Sequence, residues 1–116
     1  MKRGDVVLVN VPYLSGTQSK RRPALVVQAD RYNGKLIHTT VAGISSRVEE
    51  ASDPAQYLLD PATPIGKASG IHFGSVVRCD RLFTIEQQDV LMVIGGLGPH
   101  AMREVGICLA ATLGLS

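Results

Sequence analysis

The sequence lacks the cysteine and histidine clusters that hold a structural metal. Its two cysteines, Cys79 and Cys108, are separated by 28 residues, and neither belongs to a CxxC motif or stands near a histidine at ligand spacing. We therefore expect no zinc site. Long hydrophobic runs are absent too, since Asn10 and Pro12 break up the apolar stretch that follows Asp5. That stretch is too short for a signal peptide or a membrane span, so we expect a cytoplasmic protein with reduced thiols.

Aromatic residues are scarce, whereas glycine and proline are frequent. The sequence contains no tryptophan, three tyrosines and two phenylalanines. Twelve glycines and six prolines divide the 116 residues into short pieces, which is typical of a β-rich protein with many turns. With 45% hydrophobic and 19% charged residues, the chain is predicted to form one globular domain over residues 1–116.

The net charge of +2 is unevenly distributed. Residues 1–35 contain seven basic and two acidic side chains, a balance of +5, whereas the remainder contains five basic and eight acidic side chains, a balance of −3. This asymmetry suits a polyanion on one face and a different partner on another.

Hydrophobic alternation predicts six strands and one long helix. The strands are expected at 4–11, 23–28, 36–44, 56–59, 75–83 and 91–94, and the helix at 99–113. Met102, Val105, Leu109 and Leu113 would form the apolar face of the helix, and Gly114 would end it. The pair Asn33-Gly34 predicts a hairpin between the second and third strands. A capping box from Thr84 predicts a short helical turn, and 60–70 is predicted to be a loop.

A basic segment, Lys20-Arg21-Arg22, stands where a polar connection that starts at Tyr13 becomes the strand opened by Pro23. The planar guanidinium of arginine matches phosphate oxygens, so arginines at a strand end are well placed to hold a nucleic-acid backbone. The alternative interpretation is an ordinary solvated loop end, because basic stretches are a weak motif class.

Several short motifs then occur in a fixed order over nearly the whole chain. They are Arg3-Gly4-Asp5-Val6-Val7, Gly16-Thr17-Gln18, Arg22-Pro23 with the run to Gln28, Val41 to Ser45, Ser75-Val76-Val77, Asp80 to Ile85, Ile94-Gly95 and the helix 102–113. Together they resemble the MazF/PemK family of toxin endoribonucleases.

The resemblance implies a fold, an activity and partners. The fold would be mainly β with short helices, a small Src-homology-3-like barrel of the MazF/PemK/CcdB type with a C-terminal helix, usually found as a homodimer. The activity would be sequence-selective cleavage of single-stranded RNA, mostly messenger RNA, through attack of the 2′-OH and without a metal or other cofactor. The cognate antitoxin would neutralise the toxin with a disordered C-terminal tail. No membrane association is implied.

The resemblance also places two catalytic residues. Arg22 falls on the family's catalytic arginine, and Ser45 falls on its catalytic threonine, keeping the hydroxyl but losing the methyl group that stiffens χ1. Gln18 stands where a glutamate is common, which leaves one carboxylate fewer to orient the arginine.

Other residues, Gln18 among them, are candidates for binding RNA. Lys20 and Arg21 would hold flanking phosphates, Ser46 competes with Ser45 for the hydroxyl role, and Tyr13 and Tyr32 could stack on bases from loops beside the basic segment. Phe83 is expected in the core. Among the histidines, His72 has the strongest claim to a test, whereas His38 and His100 have ordinary structural explanations.

The residues alone leave two other functions possible. The CcdB type of toxin shares the barrel but poisons DNA gyrase by binding it, and it lacks the arginine and hydroxyl pair. An inactive family member that only binds RNA would be consistent with the departures at Ser45 and Gln18.

Overall fold

Six antiparallel strands form one sheet in the computed structural model, which describes residues 1–12, 19–48 and 52–115. The strands are β1 (Asp5–Pro12), β2 (Ser19–Val26), β3 (His38–Ser45), β4 (Gln56–Leu59), β5 (Ser75–Glu86) and β6 (Val90–Gly96), and they lie in the order β4-β5-β3-β2-β1-β6. The helices are α1 (Asp30–Asn33), α2 (Pro64–Ala68) and α3 (Pro99–Leu113), with a 3₁₀ turn at Gln87–Asp89. This is the predicted mainly β fold with short helices and a C-terminal helix, which is confirmed.

Both faces of the central strands are buried, because successive side chains of a strand point to opposite faces of the sheet. In β1, Val6 packs into a cluster that α3 covers, whereas Val7 and Val9 pack into a second cluster on the opposite face. The second cluster also contains Ala24, Val26 and Val41. The centre of the sheet is therefore a rigid support for whatever projects from its ends.

The C-terminal helix begins and ends as predicted, with Pro99 in its first turn and Gly114 in the left-handed conformation at φ 70°. Met102 and Val105 face the core. Leu113, expected on the same face, is instead 55% exposed. Each step of four residues turns a helix about 40° beyond a full revolution, so the row that starts at Val105 has rotated out of the core by Leu113.

The pair Asn33-Gly34 does not form the expected tight hairpin, although β2 and β3 are antiparallel as predicted. Asn33 ends helix α1 and is buried, and its Nδ2 donates to the carbonyl of Gln28 at 3.0 Å. Its Oδ1 accepts a hydrogen bond of 2.7 Å from the Oγ1 of Thr39. The amide thus joins the segment that follows β2 to strand β3 through side-chain bonds, which a two-residue turn would not need.

The predicted helical turn at Thr84 is wrong, because β5 continues through this residue to Glu86 and pairs with β3 there. The 3₁₀ turn follows the strand. Its Gln87 donates through Nε2 to the carbonyls of Asn33 and Leu36, both at 2.8 Å. The amide predicted to cap a helix therefore binds the neighbouring connection instead.

Two further differences from the sequence prediction concern β2 and the segment 60–70. Strand β2 starts at Ser19, not at Pro23, because its first residues pair with β1. The segment 60–70, predicted to be a loop, contains helix α2, whose Thr63 cap accepts a hydrogen bond from the backbone of Gly66 at 3.0 Å. None of the helices in the described ranges has the length and hydropathy that crossing a membrane requires.

Candidate active site

The site opens where β2 and β3 stop pairing. Their ladder ends at Ala24 and Gly43. Beyond this point β2 stays paired with β1, Arg22 lying opposite Val9, while β3 stays paired with β5 through Ser45. Pro23, the next residue of β2, has no N–H to donate to a further ladder bond. The two strands separate, and a cleft forms between them.

Four guanidinium groups surround this cleft, which has a volume of about 520 Å³ and is called the arginine cleft below. They belong to Arg22, Arg47, Arg78 and Arg81. The other lining residues are Pro23, Gly43, Ile44, Ser45, Ser46 and Phe83. Such a concentration of fixed positive charge with arginine geometry is suited to phosphate groups.

An irregularity of β5 brings two of these arginines to the cleft. Ala42 pairs with Leu82, but the next residue of β3, Gly43, pairs with Arg78, so three residues of β5 between them have no partner in the β3 ladder. Bulged strands bend and redirect side chains. Arg81 lies in the bulge and lines the cleft, and Arg78 lines it from the last position before the bulge.

A carboxylate inside the same bulge orients Arg78. The Nε of Arg78 donates to Oδ1 of Asp80 at 3.0 Å, and its Nη2 donates to Oδ2 at 3.1 Å. The Nε2 of Gln56 donates to Oδ1 at 3.0 Å. The hydrogen bonds from Arg78, followed by that from Gln56, lower the pKa of Asp80 despite its partial burial, so Asp80 is ionised and balances one of the four cationic groups.

Ser45 is half-buried at the end of β3, and its hydroxyl is oriented by the backbone. The N–H of Arg47 donates to Oγ at 3.1 Å, in the manner of a serine turn. This bond uses a lone pair of the oxygen, so the O–H of Ser45 can donate to a ligand. The neighbouring Ser46 is exposed and lines the same cleft.

A second cleft of about 710 Å³, called the apolar cleft below, continues from the same residues. It shares Arg22, Ser45 and Ser46 with the arginine cleft, as well as Pro23 and Ile44. It then extends over apolar residues of β6 and over the segment 70–73, which includes His72 and Phe73. Arg22 and Ser45 therefore lie where the two clefts meet.

Three residues predicted from the sequence are thus brought together, namely Arg22, Ser45 and Ser46. Lys20 and Arg21 are exposed at the start of β2 and line neither of the two clefts. Tyr13 and Gln18 lie outside the described residues.

Tyr32 was expected in a loop, but it belongs to helix α1 and lines neither cleft. Its ring lies 5.2 Å from the Cζ of Arg31. Phe83 is half-buried against the second core cluster and also lines the arginine cleft. Among the histidines, His72 lines the apolar cleft, whereas His38 and His100 line neither.

Sequence reasoning missed three of the four cleft arginines, namely Arg47, Arg78 and Arg81. All three belong to the part of the chain with a net negative charge, so the search for a basic surface in residues 1–35 could not find them. The signal for Arg78 and Arg81 is that, together with Asp80, they place charges among the apolar residues of β5. Among the described residues, no three His, Cys, Asp or Glu side chains are grouped so that they could hold a metal ion.

Sequence comparisons match the chain over nearly its whole length. A family model described as PemK-like, MazF-like toxin of type II toxin–antitoxin systems matches residues 2–113. The chain is 31% identical to endoribonuclease MazF2 of Mycobacterium bovis and to endoribonuclease MazF6 of Mycobacterium tuberculosis, in each case over 117 residues that cover 99% of this chain and 98% of the relative.

Solved structures share the fold. The M. tuberculosis toxin MazF-mt6 superposes with a TM-score of 0.77 at 21% identity, covering 97% of this chain and 98% of the toxin. The MazE–MazF complex of Deinococcus radiodurans superposes with a TM-score of 0.75 at 24% identity, covering 100% of this chain and 98% of the matched one. A mycobacterial endoribonuclease solved with its cognate antitoxin superposes with a TM-score of 0.77 at 20% identity, covering 100% of this chain and 97% of the matched one.

Proposed function

The chain belongs to the PemK-like, MazF-like toxins of type II toxin–antitoxin systems, and we propose that it cuts single-stranded RNA where the arginine cleft meets the apolar cleft. It is an endoribonuclease, like its curated relatives, and the family predicted from its motifs is confirmed. The observation that carries the proposed site is the position of Arg22 and Ser45, which line both clefts from two diverging strands.

In the proposed reaction the 2′-OH of the substrate attacks the adjacent phosphorus. The new 2′-O–P bond forms as the P–O5′ bond breaks, and the products are a 2′,3′-cyclic phosphate and a free 5′-OH. The proton of the 2′-OH is lost and the leaving oxygen gains one. The protein must therefore hold the 2′-OH in line and stabilise the negative charge that builds on the phosphoryl oxygens. No step needs a metal.

Arg22 is assigned to the non-bridging oxygens of that phosphate. Its guanidinium stays protonated in a protein, so its role is electrostatic and the proton transfers fall to other groups or to water. Ser45, whose Oγ already accepts from the N–H of Arg47, donates its O–H to the phosphate or to the 2′-OH. His72 lines the apolar cleft beside these residues, and its imidazole is the type of side chain most often used for general acid or base catalysis.

The two clefts favour a single strand over a duplex. Bases can enter an apolar cleft only when they are unpaired and splayed from the backbone, while the neighbouring phosphates pass the four arginines. Selectivity for a short sequence would arise from the bases held there.

The proposed assembly is the homodimer that is usual in this family. The whole chain, residues 1–116, would act as one toxin domain in a homodimer, and exposed Ile107 and Leu113 on α3 support burial against another surface. Relatives have been solved in complex with antitoxins. We expect this toxin to be neutralised likewise by a cognate antitoxin with a disordered C-terminal tail.

The test is digestion of a long single-stranded RNA in EDTA, followed by mapping of the cut sites. The wild-type protein should cut at a short recurring sequence, and Arg22→Ala should lower the rate by roughly 10²- to 10³-fold, as expected for loss of a donor to a developing oxyanion. Arg103→Ala on α3 is the matched control, because it also removes one exposed arginine but lines neither cleft.

Folding of each variant is checked by circular dichroism and thermal unfolding. If Arg22→Ala cuts as fast as the wild type, the assignment of this arginine is wrong. A folded, antitoxin-free wild-type protein that binds RNA without cutting it would indicate an inactive family member. One that inhibits DNA gyrase and ignores RNA would indicate the CcdB type of activity.

A further inference from the structure

We propose that Phe73 is a stacking surface for one unpaired base of the RNA, held in the apolar cleft beside the scissile phosphate. This inference deepens the proposed function and rests on it. It assigns base binding to a residue on the connection between α2 and β5, whereas the sequence had pointed to tyrosines elsewhere.

The ring of Phe73 is 77% exposed, although phenylalanine is normally buried. Met92, which is 53% exposed on β6, lines the same cleft as Phe73. Among the described residues, Ile37 and Leu115 are comparably exposed, each at 75%, but they are aliphatic. Phe73 alone of the three offers a flat π-face on which a base of any identity can stack.

The position of the ring relative to the reaction centre favours a nucleobase as its occupant. The apolar cleft is continuous with Arg22 and Ser45, so a strand whose phosphate contacts them has its flanking base directed along one of the two clefts. The arginine cleft carries concentrated charge that suits further phosphates. The apolar cleft, at about 710 Å³, falls within the range of pockets that hold small flat ligands.

Backbone contacts fix the start of the segment that bears Phe73. Gly70 has φ 78°, and a Cβ on it would overlap the carbonyl oxygen of Ile94. A Cβ on Gly95 would likewise overlap the carbonyl group of Ser69. The segment thus crosses β6 in direct backbone contact, which only glycine permits on either side.

Hydrogen bonds hold the two ends of the same segment. The Oγ of Ser69 accepts from the N–H of Ile71 at 3.2 Å, and the Oγ of Ser75 donates to the carbonyl of Phe73 itself at 2.8 Å. The backbone that carries the ring therefore loses little conformational freedom when a base stacks on it. Preorganisation of this kind favours binding.

The absence of tryptophan from the sequence makes a direct test possible. Phe73→Trp keeps an aromatic face and introduces the only indole of the protein. The probe is a 2′-O-methyl oligonucleotide containing the cut sequence mapped for the wild type, which cannot form the attacking 2′-OH. We expect saturable quenching of the indole fluorescence, with affinity close to that of the wild type measured by anisotropy.

Removal of the ring gives the second measurement. Phe73→Ala should weaken binding of the same oligonucleotide by roughly 5- to 150-fold, the range that corresponds to one lost base stack, and should raise KM more than it lowers kcat. Ile37→Ala is the matched control, since Ile37 is equally exposed but lines neither cleft, and it should bind as the wild type does.

The outcomes separate this inference from the proposed function. If the wild type cuts RNA and Arg22→Ala does not, yet Phe73→Ala binds and cuts normally, the stacking role is overturned and the active site stands. If Phe73→Ala turns a dimer into a monomer in sedimentation without RNA, the ring belongs to a contact between copies and the inference is wrong. If the wild type cuts no RNA, the proposed function itself fails.

Discussion

Arg22 and Ser45 occupy matching positions of two neighbouring strands, just beyond the point where those strands stop pairing. Ala24 faces Gly43 in the last pair of the β2–β3 ladder, and the same register continued by two residues would place Arg22 opposite Ser45. Because β2 and β3 separate there, the two side chains border a cleft instead of meeting across a ladder. Arg22 remains paired with β1 and Ser45 remains paired with β5, so both residues are held at the edge of the cleft by paired backbone.

Substitution of Ser45 tests the hydroxyl. Ser45→Ala should lower kcat/KM by about 10- to 100-fold, the effect of losing one hydrogen bond to a charged group, and it also removes the acceptor for the N–H of Arg47. Ser45→Thr keeps the oxygen and adds a methyl group that suits a strand, so its rate should stay within about threefold of the wild type. Initial rates on a short RNA with the mapped site measure both. A larger loss in Ser46→Ala than in Ser45→Ala would transfer the role to Ser46.

The salt dependence of binding tests the arginine cleft. For single strands the slope of log K against log salt concentration changes by about 0.7 for each phosphate contact. Arg47→Ala and Arg81→Ala should each make the slope shallower by about that amount, measured with the 2′-O-methyl oligonucleotide over a series of KCl concentrations. Arg103→Ala should leave the slope unchanged. An unaltered slope in both cleft variants would mean that the phosphates pass elsewhere.

Acid should weaken the fold through Asp80. The hydrogen bonds from Arg78 keep the pKa of this carboxyl below its ordinary value of 3.8, so the folded protein binds the proton less tightly than the unfolded chain does. The resulting stabilisation is present above that ordinary value and is lost as the pH falls through the lower pKa of the folded state. It should amount to no more than about 1 kcal/mol, because the carboxylate side chain is 38% exposed and solvent screens the pair.

Urea unfolding of wild type and Asp80→Asn between pH 3 and 7 measures this effect. The wild type should be the more stable at pH 7, and the difference in the free energy of unfolding should shrink towards pH 3. Asp30, whose pKa is also lowered, chiefly by the backbone N–H of Arg3, contributes equally to both proteins. A difference that is constant with pH would show that the Arg78 pair does not depend on the charge of Asp80.

The two thiols should be unreactive in the folded protein. Burial, followed by the proximity of Cys108, raises the pKa of Cys79 to about 12, and burial also raises the pKa of Cys108. At pH 8 the thiolate fraction of Cys79 is then about one in 10⁴. With a disulfide reagent such as DTNB, native protein should show no fast phase, while both cysteines should react in urea. A fast native reaction would mean that α3 separates readily from β5.

The local sequence accounted for most of the secondary structure. Strand β4 and the helix from Pro99 to Leu113 were predicted with their boundaries, because alternation, an initial proline and a glycine directly after the helix act over a few residues. The predictions were wrong where the local structure depends on a bonding partner in another segment of the chain. Thr84 continues a strand because β3 pairs with it, and Asn33 ends a helix because its amide bonds to Gln28 and Thr39.

The sequence by itself determined the family and the β-rich fold, and it predicted the pair Arg22 and Ser45, since all three depend on short motifs whose order is visible in one dimension. Only the tertiary structure decided which other groups share the site. Arg78 and Arg81 reach the cleft because a bulge shifts the register of β5 against β3, and Phe73 reaches it because a glycine crossing carries its segment over β6. Register and close backbone approach are fixed by pairing between residues far apart in the chain, so no local pattern of charge or hydrophobicity contains them.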